Sequence, residues 1–231
     1  MGSSPLESGG RPSCLSSPGG LTKYEAPDIR RGLVQLLATI LPFLALWVAM
    51  LGTLSYGYWL TLLLAMPTAG FLVRLFMLQH DCAHRSFVRS PATNDVLGMV
   101  IGLFTLTPHY YWRRLHLMHH ATSGNLDRRG YGDIDTLTVN EYLRLCPFQR
   151  FMYHVYRHPL VLFGVAPTWH FVVRQRFCPY RSARWKRERA SVHATNVALI
   201  ALLVVLSLVF GFKQLLLVQM PIVALASSMS I

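Results

Sequence analysis

Ten histidines occur in the 231 residues, all at or after position 80, and five of them fall in two tight groups. The first is H-D-C-A-H, with His80 and His84; the second is H-L-M-H-H, with His116, His119 and His120. Spacings of three and four residues put side chains on one helix face, about a turn apart. Imidazole suits iron, copper and zinc, and facing helices that each supply ligands commonly build a metal centre. One H-x-x-x-H pair arises readily by chance. Two such groups together predict a metal site made of His80, His84, His116, His119 and His120.

The acidic residues narrow the metal. A soluble di-iron carboxylate site needs Glu-x-x-His motifs, and a zinc hydrolase needs H-E-x-x-H or a similar base. The glutamates are Glu7, Glu25, Glu141 and Glu188, and none stands three residues before a histidine. An all-histidine cluster therefore favours redox iron over zinc. Asp81, beside His80, is placed to accept from its ring and fix the tautomer, or else to pair with an arginine on the surface. Trp112 either walls a substrate channel or packs as an interfacial aromatic.

The remaining histidines are weaker candidates. His154 and His158 repeat the four-residue spacing, but Pro159 follows at once, so they read as a solvated face rather than a metal pair. His109, His170 and His193 read as packing or structural residues.

These residues must be positioned by a chain that is 52% hydrophobic and 14% charged, with a formal charge of +12. A soluble domain carries about 25% charged residues, so a water-soluble globule is disfavoured and disorder is excluded. Nucleic acid is no expected partner for so apolar a chain. The cysteines (Cys14, Cys82, Cys146 and Cys178) form no C-x-x-C pair and imply neither disulfides nor a thiolate site.

Four apolar stretches are expected to span a membrane, at about 32–51, 58–78, 194–210 and 214–231. Sixteen of the 22 Lys/Arg lie between Gln79 and Val192, which places that insert on the cytoplasmic side. The predicted fold is an all-α membrane protein: two transmembrane helical hairpins with a large cytoplasmic insert that carries the histidines. Val96–Thr107 and Leu160–Val173 are too short to span and should lie in the interface or beneath it. Residues 1–20 are rich in Ser, Gly and Pro and read as a disordered tail, leaving 21–231 as one domain. The basic run Arg174–Arg189 reads as a stop before the third span, or as a dock for an acidic electron carrier.

With these motifs in hand, the chain resembles the integral-membrane fatty acid desaturases, nearest to bacterial enzymes of the omega-six acyl-lipid type. The likeness runs through H-D-C-A-H-R-S-F at His80–Phe87 and T-P-H-Y-Y-W-R-R-L-H-L-M-H-H-A-T-S-G-N-L-D-R-R-G at Thr107–Gly130. It continues into G-D-I-D-T-L-T-V-N-E-Y at Gly132–Tyr142. The resemblance implies two non-haem irons that use dioxygen to place a cis double bond in a membrane lipid or other acyl chain. It implies a separate electron donor, a ferredoxin or a small b-type cytochrome, and a bacterial inner-membrane location. By resemblance the five box histidines are iron ligands, while Asn125 and Asp127 brace the second box or shape a turn. The family pattern adds a third box, H-x-x-H-H, beyond a fourth span. Since this sequence stops within that span, the resemblance implies a fragment with an incomplete second iron site. Acyl hydroxylation by the same boxes, and metal binding without catalysis, are the rival expectations.

Overall fold

The computed structural model describes residues 27–130 and 134–230 of the chain, and the tail expected at 1–20 lies outside them. All regular elements among the described residues are helical. The first hairpin is α1 (Ile29–Thr53) and α2 (Tyr58–Ala83). Asp28 caps α1, its Oδ1 accepting from the backbone N–H of Arg30 at 2.7 Å and of Arg31 at 3.3 Å. Among the described residues four helices, these two and two near the C-terminus, are long and apolar enough to cross a membrane. The later pair is α8 (Lys186–Phe210) and α9 (Phe212–Met229).

The helices outrun the expected spans where the site requires it. α2 has 26 residues; at about 1.5 Å each it reaches roughly 39 Å, past the ~30 Å hydrocarbon layer. Its last turn therefore lifts His80 clear of the apolar zone. α8 starts eight residues before the expected span, at Lys186, and its first turn pairs Arg187 with Asp95 of the insert and Glu188 with Arg114.

The core sits between α1, α2 and α9. Phe43, Trp47 and Met50 of α1 meet Ala65, Leu72 and Leu75 of α2 and Val218 and Ile222 of α9. Small Ala65 and Ala69 are fully buried and let the neighbouring helices close in on α2. Trp47 Nε1 donates to Gln219 Oε1 at 3.1 Å, so its buried polar edge is satisfied within the bundle. In contrast, α8 leaves Val197, Ile200, Val204, Val205, Leu208 and Val209 exposed. A helix apolar on all sides with its surface uncovered needs lipid, not water, around it.

Between the hairpins lie α3 (Pro91–Phe104), α4 (His109–Thr122), α5 (Val139–Arg144), α6 (Pro147–Arg157) and α7 (Ala166–Val172). Ser90 Oγ caps α3 by accepting from Thr93 N–H at 3.2 Å, with Pro91 in the first helical position. The expected apolar stretch Val96–Thr107 becomes α3 and a turn. Its counterpart Leu160–Val173 is split into a π-turn at Val161–Val165 and the short α7.

Candidate metal centre

α2 brings the first histidine pair to the site and then stops abruptly. His84 is the C-cap, and Arg85 turns the chain at φ 59°. Arg85 N–H donates to Cys82 O and Ser86 N–H to Asp81 O, both at 3.0 Å. This is the Schellman pattern, with arginine where glycine is usual; the left-handed backbone costs about 1–2 kcal/mol. α3 ends the same way at Leu106, φ 57°, where Thr107 N–H donates to Gly102 O at 2.8 Å. That second turn delivers the chain directly into α4 and the second histidine group.

Four imidazoles from α2 and α4 converge. One nitrogen from each of His80, His84, His116 and His120 lies within 4.8 Å of the others. His84 Nε2 and His120 Nε2 each stand 3.0 Å from His116 Nε2. A single ring nitrogen carries at most one proton and cannot satisfy both neighbours with two good hydrogen bonds. One cation can: nitrogens bound at about 2.1 Å and at right angles lie about 3.0 Å apart. Burial, and then the charge of His80, push the His116 pKa down to about 4, and burial also lowers that of His84. At neutral pH His116 therefore offers a lone pair, as metal binding requires. The donor set fits a metal ion.

His119, expected among the ligands, is set off from these four. Its ring centroid is 6.4 Å from that of His116 and 5.9 Å from that of His120. Asp81 Oδ1 lies 3.3 Å from His80 Nδ1, the position from which it can fix that ring's tautomer. Trp112 stacks on His116 with centroids 4.6 Å apart and planes at 10°. Phe76 meets the indole edge-on at 5.1 Å, and Phe171 meets Phe76 at 5.5 Å. Phe76 and Phe171 also line a small cavity of about 20 Å³ with Leu72, Val73, Phe104 and Leu106. Apolar and aromatic side chains thus lie between the imidazoles and the helix bundle.

The weaker candidates take other roles. His154 Nε2 pairs with Tyr142 OH at 2.8 Å, and His158 Nδ1 accepts from Leu160 N–H at 3.3 Å. Asn125 Oδ1 accepts from Asp127 N–H at 3.0 Å and shapes a turn. His170 Nε2 lies 2.9 Å from Gln175 Nε2. His109 is buried at the start of α4, with Nε2 3.6 Å from Asp95 Oδ1.

Several residues that hold the site carry no motif in the sequence. Arg113 Nε donates to Ala83 O at 2.6 Å, and its Nη1 donates to Asp95 Oδ1 at 3.3 Å. The basic run does structural work besides: Arg176 donates to the strained Leu106 carbonyl and to Asn196 Oδ1, and Arg187 to Asp95 Oδ2. Burial lowers the Arg176 pKa to about 10, which leaves it charged at neutral pH. The available signal was a charge in an apolar segment, Asp95 within N-D-V-L-G-M-V, since such a residue needs a partner.

Comparison with known proteins agrees with this architecture. The sequence profile of the fatty acid desaturase family matches residues 56–231. A "Fatty acid desaturase" of Bacillus subtilis (strain 168) is 40% identical over 208 residues, covering 90% of this chain and 58% of the relative. An "sn-1 acyl-lipid omega-3 desaturase (ferredoxin)" of a Synechocystis species is 30% identical over 130 residues, 55% of this chain and 35% of the relative. An "Acyl-lipid omega-3 desaturase (cytochrome b5), endoplasmic reticulum" of Arabidopsis thaliana is 40% identical over 53 residues, 23% of this chain and 14% of the relative. The chain belongs to the fatty acid desaturase family. It spans less than two thirds of the length of each of these relatives.

Proposed function

We propose that this chain serves dioxygen-dependent desaturation of fatty acyl chains at a non-haem iron centre. The observation that carries the reading is the convergence of four imidazoles from two helices in a chain of the desaturase family. Iron bound there supplies an oxidant strong enough for an unactivated methylene pair. Electrons balance when one dioxygen takes up four, two from the acyl chain and two from a carrier, giving a double bond and two waters.

The chain's own residues divide the work. His80, His84, His116 and His120 hold one ion through ring nitrogens, and Asp81 orients His80. His119, set off from the four, is assigned to a second ion whose other ligands are not among these five histidines. Trp112, Phe76 and Phe171 form the apolar wall that receives the acyl chain and keeps water away. A separate carrier delivers electrons; the names of the relatives offer a ferredoxin or a cytochrome b5 as its type. The Lys/Arg excess between Gln79 and Val192 supports a cytoplasmic-side site, and the family resemblance supports a bacterial inner membrane, within reach of lipid acyl chains.

The test is to express the gene that encodes this chain in a host of known lipid composition. Gas chromatography with mass spectrometry should find a new cis double bond that disappears in His116→Ala. A hydroxylated chain in its place would move the assignment to acyl hydroxylation. Unchanged lipids together with exchangeable zinc in the purified protein would leave a metal-binding role alone.

A further inference from the structure

Gln79 and Ala83 each immediately precede a histidine of the first box, and both are tied to the segment that carries the second. Gln79 is fully buried. Its Oε1 accepts from Thr105 Oγ1 at 2.5 Å, and its Nε2 donates to Thr107 O at 3.2 Å, which pins the turn from which α4 begins. Ala83 offers its carbonyl to Arg113 Nε, one turn before His116 on α4. The same guanidinium reaches Asp95 of α3, which also takes Arg187 of α8.

α3 can bring Asp95 so near because its facing positions are glycine. A Cβ on Gly98 would stand 2.2 Å from His109 Cε1, and one on Gly102 would stand 2.4 Å from Thr107 O. Asp95, Gly98 and Gly102 therefore share the α3 face on which the start of α4 rests. The two ties to α2 lie four residues apart, each one residue before a histidine of the site.

Their placement matters because the imidazoles come from different helices. A slip of α4 along α2 by one residue is about 1.5 Å, whereas a binding constellation must be held to about 0.5 Å. We propose that Gln79, Arg113 and Asp95 are positioning residues that lock the register of the two histidine helices, so that the four imidazoles are preassembled for an ion. The inference rests on the metal-site reading above.

The experiment is a cobalt(II) titration of the purified chain in detergent, read by visible absorption, with the melting of the metal-free protein followed in parallel. Arg113→Lys keeps a positive charge opposite Asp95 but loses the planar fork that reaches Asp95 and the Ala83 carbonyl together. It should lower cobalt affinity about 10- to 100-fold and alter the absorption bands while the protein stays folded. Gln79→Met, which introduces no charge imbalance, should act in the same direction and serves if the lysine variant fails to fold. Glu188→Gln removes the carboxylate charge from the 2.9 Å pair with Arg114, between α4 and α8 and away from α2. It should leave cobalt affinity as it is in the unaltered chain.

Cobalt binding unchanged in Arg113→Lys and Gln79→Met, but abolished by His116→Ala, overturns the inference and leaves the metal site standing. So does a loss that merely follows the unfolded fraction, or one equalled by Glu188→Gln. An unaltered chain that takes up no cobalt overturns the metal-site reading and this inference with it.

Discussion

His80 and His84 share their four-residue spacing with His154 and His158, yet the two pairs meet different fates in one molecule. The first pair stands at the end of a 26-residue helix and meets two further imidazoles, His84 Nε2 lying 3.0 Å from His116 Nε2. The second belongs to an 11-residue helix; His84 and His158 are both C-caps, but His84 keeps a helical backbone at ψ −4° whereas His158 is extended at ψ 132°. Each ring there has found a local partner, the Tyr142 hydroxyl or the Leu160 amide. Spacing makes a histidine pair available; a facing helix held in register makes it a site.

The largest effect expected from this contrast is on metal binding. His116→Ala removes the nitrogen that both His84 and His120 approach, and it should abolish stoichiometric iron or cobalt uptake. His154→Ala and His158→Ala should leave uptake intact, as metal analysis of the purified chains would reveal. Retention of metal by His116→Ala would erase the distinction between the two pairs.

A smaller effect separates the scaffolds beneath them. Gly98→Ala drives a methyl into His109 and should destabilise the fold by about 1–3 kcal/mol. Gly164→Ala, near the second pair, meets no atom within 4 Å and should shift the melting temperature little. Equal shifts at the two positions would mean that α3 does not press on α4 as described.

The smallest effect is that of pH on the metal-free chain. Burial lowers the pKa values of His116 and His109 in the folded state, so the unfolded chain binds more protons. The stability they contribute is complete above pH 6.5 and is lost as the pH falls toward about 4, the folded value for His116. Half-exposure of His116 screens part of this. Melting curves across that window should show the decline, and His116→Gln should flatten it; a pH-independent melting temperature would refute the assignment.

Much of this was open to reading from the chain, because its signals are local. Apolar runs of about twenty residues announce spans; α1, α2 and α8 contain the expected segments, and α9 covers the fourth as far as Met229, with Ile231 outside the described residues. The H-x-x-x-H and H-x-x-H-H spacings announced the boxes, since a helix turns every 3.6 residues whatever surrounds it. Asn125 and Pro159 acted as their local chemistry implied, in a turn and at a helix end. Less was visible of what joins these parts. Arg85 and Leu106 adopt left-handed turns that favour glycine, and only surrounding contacts hold them there. Asp95 is a charge in an apolar stretch that the sequence reading passed over, and its partners lie 18 and 92 residues away.

The sequence by itself determined the helices, their apolar lengths and which imidazoles share a face, for each is a property of neighbours within a few residues. Only the tertiary structure decided which histidines meet. It drew four together and set His119 aside. It also turned part of a basic run from a surface charge into the struts of the site. The physical reason is that convergence depends on the offset and rotation between α2 and α4. Those are fixed by buried ties through Gln79, Arg113 and Asp95, which no local spacing encodes.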